Sequence, residues 1–87
     1  MSCYNIMAIV VNYRSEKAHK LQSILTKYGC LIKVRLGLHE TADVCSEDGL
    51  IVLQLSGEKV EIQNLQSELN SIEGITANNM EVCSQHK

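Results

Sequence analysis

Asn5-Ile6-Met7-Ala8-Ile9-Val10-Val11 is apolar without a break from Ile6 to Val11. A short, β-prone run of this kind, ended by the polar turn Asn12-Tyr13-Arg14-Ser15, reads as a strand buried on both faces. A second such run, Leu50-Ile51-Val52-Leu53-Gln54-Leu55, is broken only by Gln54 and reads the same way. Between them, Cys30 to Leu38 alternates: Ile32, Val34, Leu36 and Leu38 face one way, Lys33 and Arg35 the other. That alternation is the mark of an edge strand with one solvated face. A last run, Ile75 to Val82, carries Thr76, Asn78 and Asn79 and also suits an edge.

Helical spacing fills the intervals. Ala18, Leu21, Ile24, Leu25 and Tyr28 form one apolar stripe, with Ser15 as candidate N-cap and Gly29 as the residue that stops the helix. Ile62, Leu65, Leu69 and Ile72 form a second stripe, closed by Gly74. The order is β-α-β-β-α-β. Two right-handed crossovers joined by a hairpin predict an α+β, ferredoxin-like plait over residues 1–87, a single domain with antiparallel sheet order 4-1-3-2 and both helices on one face. The two strands that are apolar on both sides are then the central ones. Helices cover only one face, so the other carries a bare alternate set, Ile6-Ala8-Val10 or Met7-Ile9-Val11. The expected cover is a second copy of the chain, in a dimer or tetramer, with a small-molecule pocket between subunits as its natural extension.

The composition agrees. Among 87 residues there are three Tyr but no Phe, Trp or Pro, so the core is aliphatic. An apolar share of 45% beside 21% charged residues is that of a globular chain. A net charge of −2 with scattered Lys and Arg argues against direct nucleic-acid binding. No apolar run is long enough for a membrane span, and Met1-Ser2-Cys3-Tyr4-Asn5 has no basic n-region, which points to the cytoplasm. In that compartment the four Cys read as free thiols. The plait nevertheless makes Cys3 and Cys83 neighbours, able to join in a disulfide or to share a metal with His86, although terminal thiols of this sort are commonly loose.

Chemistry-bearing motifs are sparse. Neither C-x-x-C nor H-x-x-x-H occurs. His39 and Cys45, six apart in an acidic connection with Glu40, Asp43, Glu47 and Asp48, are the candidate metal pair, set against a plain solvated loop. No nucleophile elbow or catalytic triad is present, and a Cys45 thiol enzyme is the remaining catalytic alternative. The expected protein is not an enzyme and needs no cofactor beyond an optional metal ion. A small-molecule ligand is expected at the subunit interface, near Asn12, Tyr13 and Arg14 of the first turn and Arg35 and Gly37 of the second strand.

Two stretches carry a family resemblance. Ile24-Leu25-Thr26-Lys27-Tyr28-Gly29 leads into Cys30-Leu31-Ile32-Lys33-Val34-Arg35-Leu36-Gly37-Leu38, and Asp48-Gly49-Leu50 leads through Ser56-Gly57 to Leu69-Asn70-Ser71-Ile72-Glu73-Gly74-Ile75. Together they resemble the small iron-only hydrogenase system regulators, with Tyr28-Gly29 followed by Arg35-Leu36-Gly37 the most distinctive part. The resemblance implies an ACT-like or nickel-regulator-C-terminal-like plait that forms dimers or tetramers in a ligand-sensing, regulatory role. Asn12-Tyr13-Arg14-Ser15 stands where ACT domains commonly place a glycine, and the histidine set of nickel regulators is absent.

Overall fold

The computed structural model describes residues 2–12, 15–38 and 48–85. Strand β1 (Cys3–Asn12) is followed by helix α1 (Lys20–Lys27), β2 (Ile32–Leu38), β3 (Asp48–Leu55), α2 (Lys59–Asn70) and β4 (Ile75–Cys83). The strands form one antiparallel sheet in the order β2-β3-β1-β4, the predicted 4-1-3-2 read from the other edge. The two doubly apolar runs are the central strands, as their patterning requires.

Strand alternation sorts β1 into two sets. Met7, Ile9 and Val11 are sealed beneath the helices, while Ala8 and Val10 are exposed and Ile6 half-buried on the opposite face. Ile51, Leu53 and Leu55 of β3 and Ile75 and Ala77 of β4 complete the helix side. Leu21 and Leu25 of α1 and Ile62, Leu65 and Leu69 of α2 close over them. Among the described residues no aromatic ring enters this core, although Tyr28 packs at its margin. Each fully buried aliphatic side chain contributes about 1.5–3 kcal/mol, which is how so small a protein dispenses with Phe and Trp.

The ends of α1 differ from expectation. Ser15 does not cap it; i→i+3 bonds from Ala18 to Ser15, Lys20 to Lys17 and Leu21 to Ala18 form tight turns first, and the helix begins at Lys20. The Ser15 hydroxyl accepts from Lys17 N at 3.3 Å, which caps these turns and not α1 itself, and donates to the Glu73 carbonyl at 2.7 Å. Asn12 N donates to the Gly74 carbonyl, also at 2.7 Å. The β1–α1 and α2–β4 connections are thereby tied together, and Gly74, at φ +90°, has no room for a side chain: a Cβ there would meet the Ser15 Cβ at 2.5 Å. Gly29 is not in the left-handed region; it opens a 3-10 turn, Gly29–Leu31, that leads into β2.

At the other end of the sheet Cys3 and Cys83 lie directly opposite each other and are joined as a disulfide, so the expectation of free thiols fails for this pair. Cys30 is free and exposed. The pairing follows from the register, which sets the first residue of β1 against the last of β4. With a sequence separation of 80, the cross-link closes nearly the whole described chain and contributes about 4 kcal/mol in the chain-entropy picture.

Candidate functional site

The sheet face opposite the helices is the largest chemical anomaly of the molecule. In register it presents Tyr4, Ile6, Ala8 and Val10 from β1, Leu50 and Val52 from β3, Val34 and Leu36 from β2, and Met80 and Val82 from β4. The seven large side chains Tyr4, Val10, Val34, Leu36, Leu50, Met80 and Val82 remain between 39% and 57% exposed. Four strands at about 4.8 Å spacing and about six residues at about 3.3 Å give a face on the order of 400 Å² in projection. Apolar patches of that size on soluble proteins are commonly interaction surfaces.

Strand β2 contributes more to this face than its sequence suggests. A register irregularity lies between Ile32 and Val34, which pair with Leu55 and Gln54. Ile32 packs against the core, whereas Val34 and Leu36, at 53% exposure each, stand on the uncovered side. The apolar set of β2 therefore does not serve the core as a unit. Arg35 lies on the helix side, where its Nη1 donates to Gln22 Oε1 of α1 at 3.0 Å.

Along the free edge of β4, Asn70 Nδ2 donates to the Ala77 carbonyl at 2.8 Å, and Ala77 N donates to Asn70 Oδ1 at 2.7 Å. One strand pitch further on, Asn79 N donates to Gln66 Oε1 at 2.9 Å. Two side chains of α2 thus occupy the bonding groups that a further strand would need, which closes this edge to strand addition. Asn70 and Gln66 escape sequence reasoning because nothing in their spacing distinguishes them from solvated helix residues.

Beside these bonds a cleft of about 350 Å³ opens between α2 and the β1–β4 end of the sheet, lined by Asn5, Lys59, Gln63, Gln66, Asn79 and Glu81. Asn79 Nδ2 donates to Asn5 Oδ1 at 3.0 Å across it. On the helix layer, Lys27 Nζ lies 3.0 Å from Glu68 Oε1, linking α1 to α2. The neighbouring Tyr28 hydroxyl and then the Lys27 ammonium hold the Glu68 carboxyl below its usual range, and Glu68 in turn raises Lys27 and Tyr28.

Of the sequence-predicted ligand residues, Asn12, Arg35 and Gly37 are described, while Tyr13 and Arg14 lie outside the described residues, as do His39 and Cys45 of the candidate metal pair and His86. Within one protomer the described three do not converge. Arg35 is opposite Leu53, which is opposite Met7, five residues along β1 from Asn12. Two strand spacings and five residues of rise separate them by about 19 Å. Gly37, opposite Ile51, has open space where a Cβ would be.

One antiparallel sheet in plait order, helices on one side and an apolar face on the other, defines a small ferredoxin-like α+β protein. The chain belongs to the family described as "TM1266-like: Iron-only hydrogenase system regulator, putative", whose model matches residues 4–79. Its fold is similar to that of the protein TM1266 from Thermotoga maritima, with a TM-score of 0.79 over 94% of this chain and 100% of that one. Identity between the two is 20%, so the likeness is one of fold. No curated protein matches the chain. Among the described residues, no helix is long and apolar enough to cross a membrane.

Proposed function

We propose that this chain is a non-enzymatic, ACT-like regulatory module of the cytoplasm, that it works as a dimer or tetramer, and that it acts within an iron-only hydrogenase system as its family's description states. The observation that carries the reading is the uncovered sheet face. Seven large apolar side chains there are about half-exposed. Asn70 and Gln66 occupy bonding groups of the β4 edge, which turns self-association away from that edge and towards the apolar face.

A ligand-sensing role follows from the same assembly. Asn12, Tyr13 and Arg14, where β1 ends, are its site, while Arg35 lies on the helix side of β2, bonded to Gln22 and away from the face proposed for association. A small anionic molecule suits the Arg14 guanidinium. Light scattering at high micromolar concentration tests the assembly: a mass of two or four protomers is expected, and a strict 9.7 kDa monomer contradicts it. Arg35→Ala is expected to leave that mass unchanged.

A further inference from the structure

The helix layer stops short of the sheet end where β1 begins and β4 finishes. There Cys3, Cys83 and Glu81 gather on the helix side of the two strands: Cys3 faces Cys83 in register, and Glu81 is two residues before Cys83, on the same side of β4. One ligand atom from each, two sulfurs and a carboxylate oxygen, lie within 4.8 Å of one another. A tetrahedral zinc-type ion holds its ligand atoms about 3.5–4 Å apart, so modest side-chain rotation brings all three onto one ion. Cys3 and Glu81 are exposed and Cys83 is half-buried, which leaves the disulfide open to attack by a thiol.

The strand ends do not depend on the disulfide alone to stay in place. Beyond it, Ser84 N donates to the Ser2 carbonyl at 2.7 Å and Ser2 N donates to the Ser84 hydroxyl at 3.1 Å. On the near side, Tyr4 and Asn5 continue the ladder with Val82 and Glu81. Bonded backbone flanks the cysteine pair on both sides, so the two sulfurs remain opposed after reduction.

We propose that the Cys3–Cys83 pair is a redox-gated metal site, and that in its dithiol form Cys3, Cys83 and Glu81 bind one thiophilic divalent cation of the zinc type. In the gating step a dithiol reductant gives two electrons and two protons to the disulfide. The S–S bond breaks, two thiols form, and the reductant leaves as its own disulfide. Cation binding then releases both thiol protons, giving a thiolate–thiolate–carboxylate set with a fourth position open to water or an external ligand. The oxidised pair has no thiolate to offer, so the site exists only under reducing conditions. This reading is independent of the oligomer and of the His39–Cys45 pair.

The test uses the full chain, reduced with a phosphine that is then removed, and cobalt(II) as a spectroscopic stand-in for zinc. The expected result is a thiolate-to-cobalt charge-transfer band that saturates at one equivalent, is displaced by zinc, and is absent from the oxidised protein. Cys83→Ser abolishes the band and Cys45→Ser leaves it unchanged. Glu81→Gln keeps the band but weakens cobalt affinity about tenfold or more. As Glu81 is exposed, that variant folds and reads binding alone. No band in the reduced protein, a band that survives Cys83→Ser, a band lost with Cys45→Ser, or an affinity unmoved by Glu81→Gln would overturn the assignment.

Discussion

Val10→Glu places a carboxylate on a central strand of the uncovered sheet face, between Leu50 of β3 and Thr76 of β4. Val10 is already 41% exposed in the protomer, so a charge there meets water and the isolated subunit tolerates it. The expected change in protomer stability is within about 1 kcal/mol, most of it lost β-propensity. Association is another matter. Each of the seven half-exposed side chains gains about 1 kcal/mol when the rest of its surface is buried. Over two copies that is about 14 kcal/mol, of the same order as the 4–15 kcal/mol that immobilising two partners costs. A balance so close is decided by a few kcal/mol. The variant removes about 0.6–1.2 kcal/mol of apolar burial per copy and adds an unpaired buried charge at about 3–5 kcal/mol. A homodimer carries the change twice and is therefore weakened by about 7–12 kcal/mol, or at least about a hundred-thousandfold in Kd. Sedimentation equilibrium over a hundredfold concentration range reads the Kd, and urea unfolding followed by circular dichroism reads the protomer. A variant that keeps the wild-type assembly at every concentration would refute the reasoning, as would one that unfolds instead of dissociating.

Asn70→Ala strands the Ala77 N–H and carbonyl together and is expected to cost about 1–3 kcal/mol in urea unfolding; an unchanged midpoint would mean that the edge bonds contribute nothing. Gly74→Ala meets both a positive φ and the Ser15 Cβ, and is expected to cost about 2 kcal/mol or more. Adding Ser15→Gly should return part of that loss, and full additivity of the two changes would contradict the contact. Glu68 is held below the ordinary carboxyl value of 4.5, so its contribution to stability is full above that pH and is lost as pH falls through its lower folded value. Glu68→Gln should therefore flatten the acid side of the stability profile below about pH 4.5, an effect kept small by solvent exposure. A wild-type and variant pair with identical acid slopes would count against the Tyr28–Lys27–Glu68 cluster.

The strand order was legible because the four strands have different burial demands. Ile6 to Val11 and Leu50 to Leu55 are too apolar for an edge, and Ile75 to Val82 is too polar for a centre. What alternation cannot say is which of two faces is covered. Val34 and Leu36 look like core residues in sequence, and only the irregularity after Ile32, a backbone event with no residue signature here, shows that they face away from the helices. Ser15 does accept a local N–H, from Lys17, but ahead of the tight turns and not of α1, and its hydroxyl also bonds Glu73, a partner 58 residues distant that no local pattern could reveal. The amide bonds of Asn70 and Gln66 are hidden for the same reason. The Cys3–Cys83 neighbourhood did follow from topology, because antiparallel pairing of the first and last strands leaves little choice of register. The predicted ligand residues were drawn to one subunit interface, and the fold keeps Asn12 and Arg35 on separate parts of each protomer.

The central claim is that the bare sheet face is where copies of this chain meet. An isotope-filtered NOE experiment on a sample mixing labelled and unlabelled protein tests it most directly, since it reports only contacts between subunits. The account predicts intermolecular contacts among the methyl groups of Val10, Val34, Leu36, Leu50 and Val52. Contacts confined to the helix layer, or none in a sample at high micromolar concentration, would contradict it.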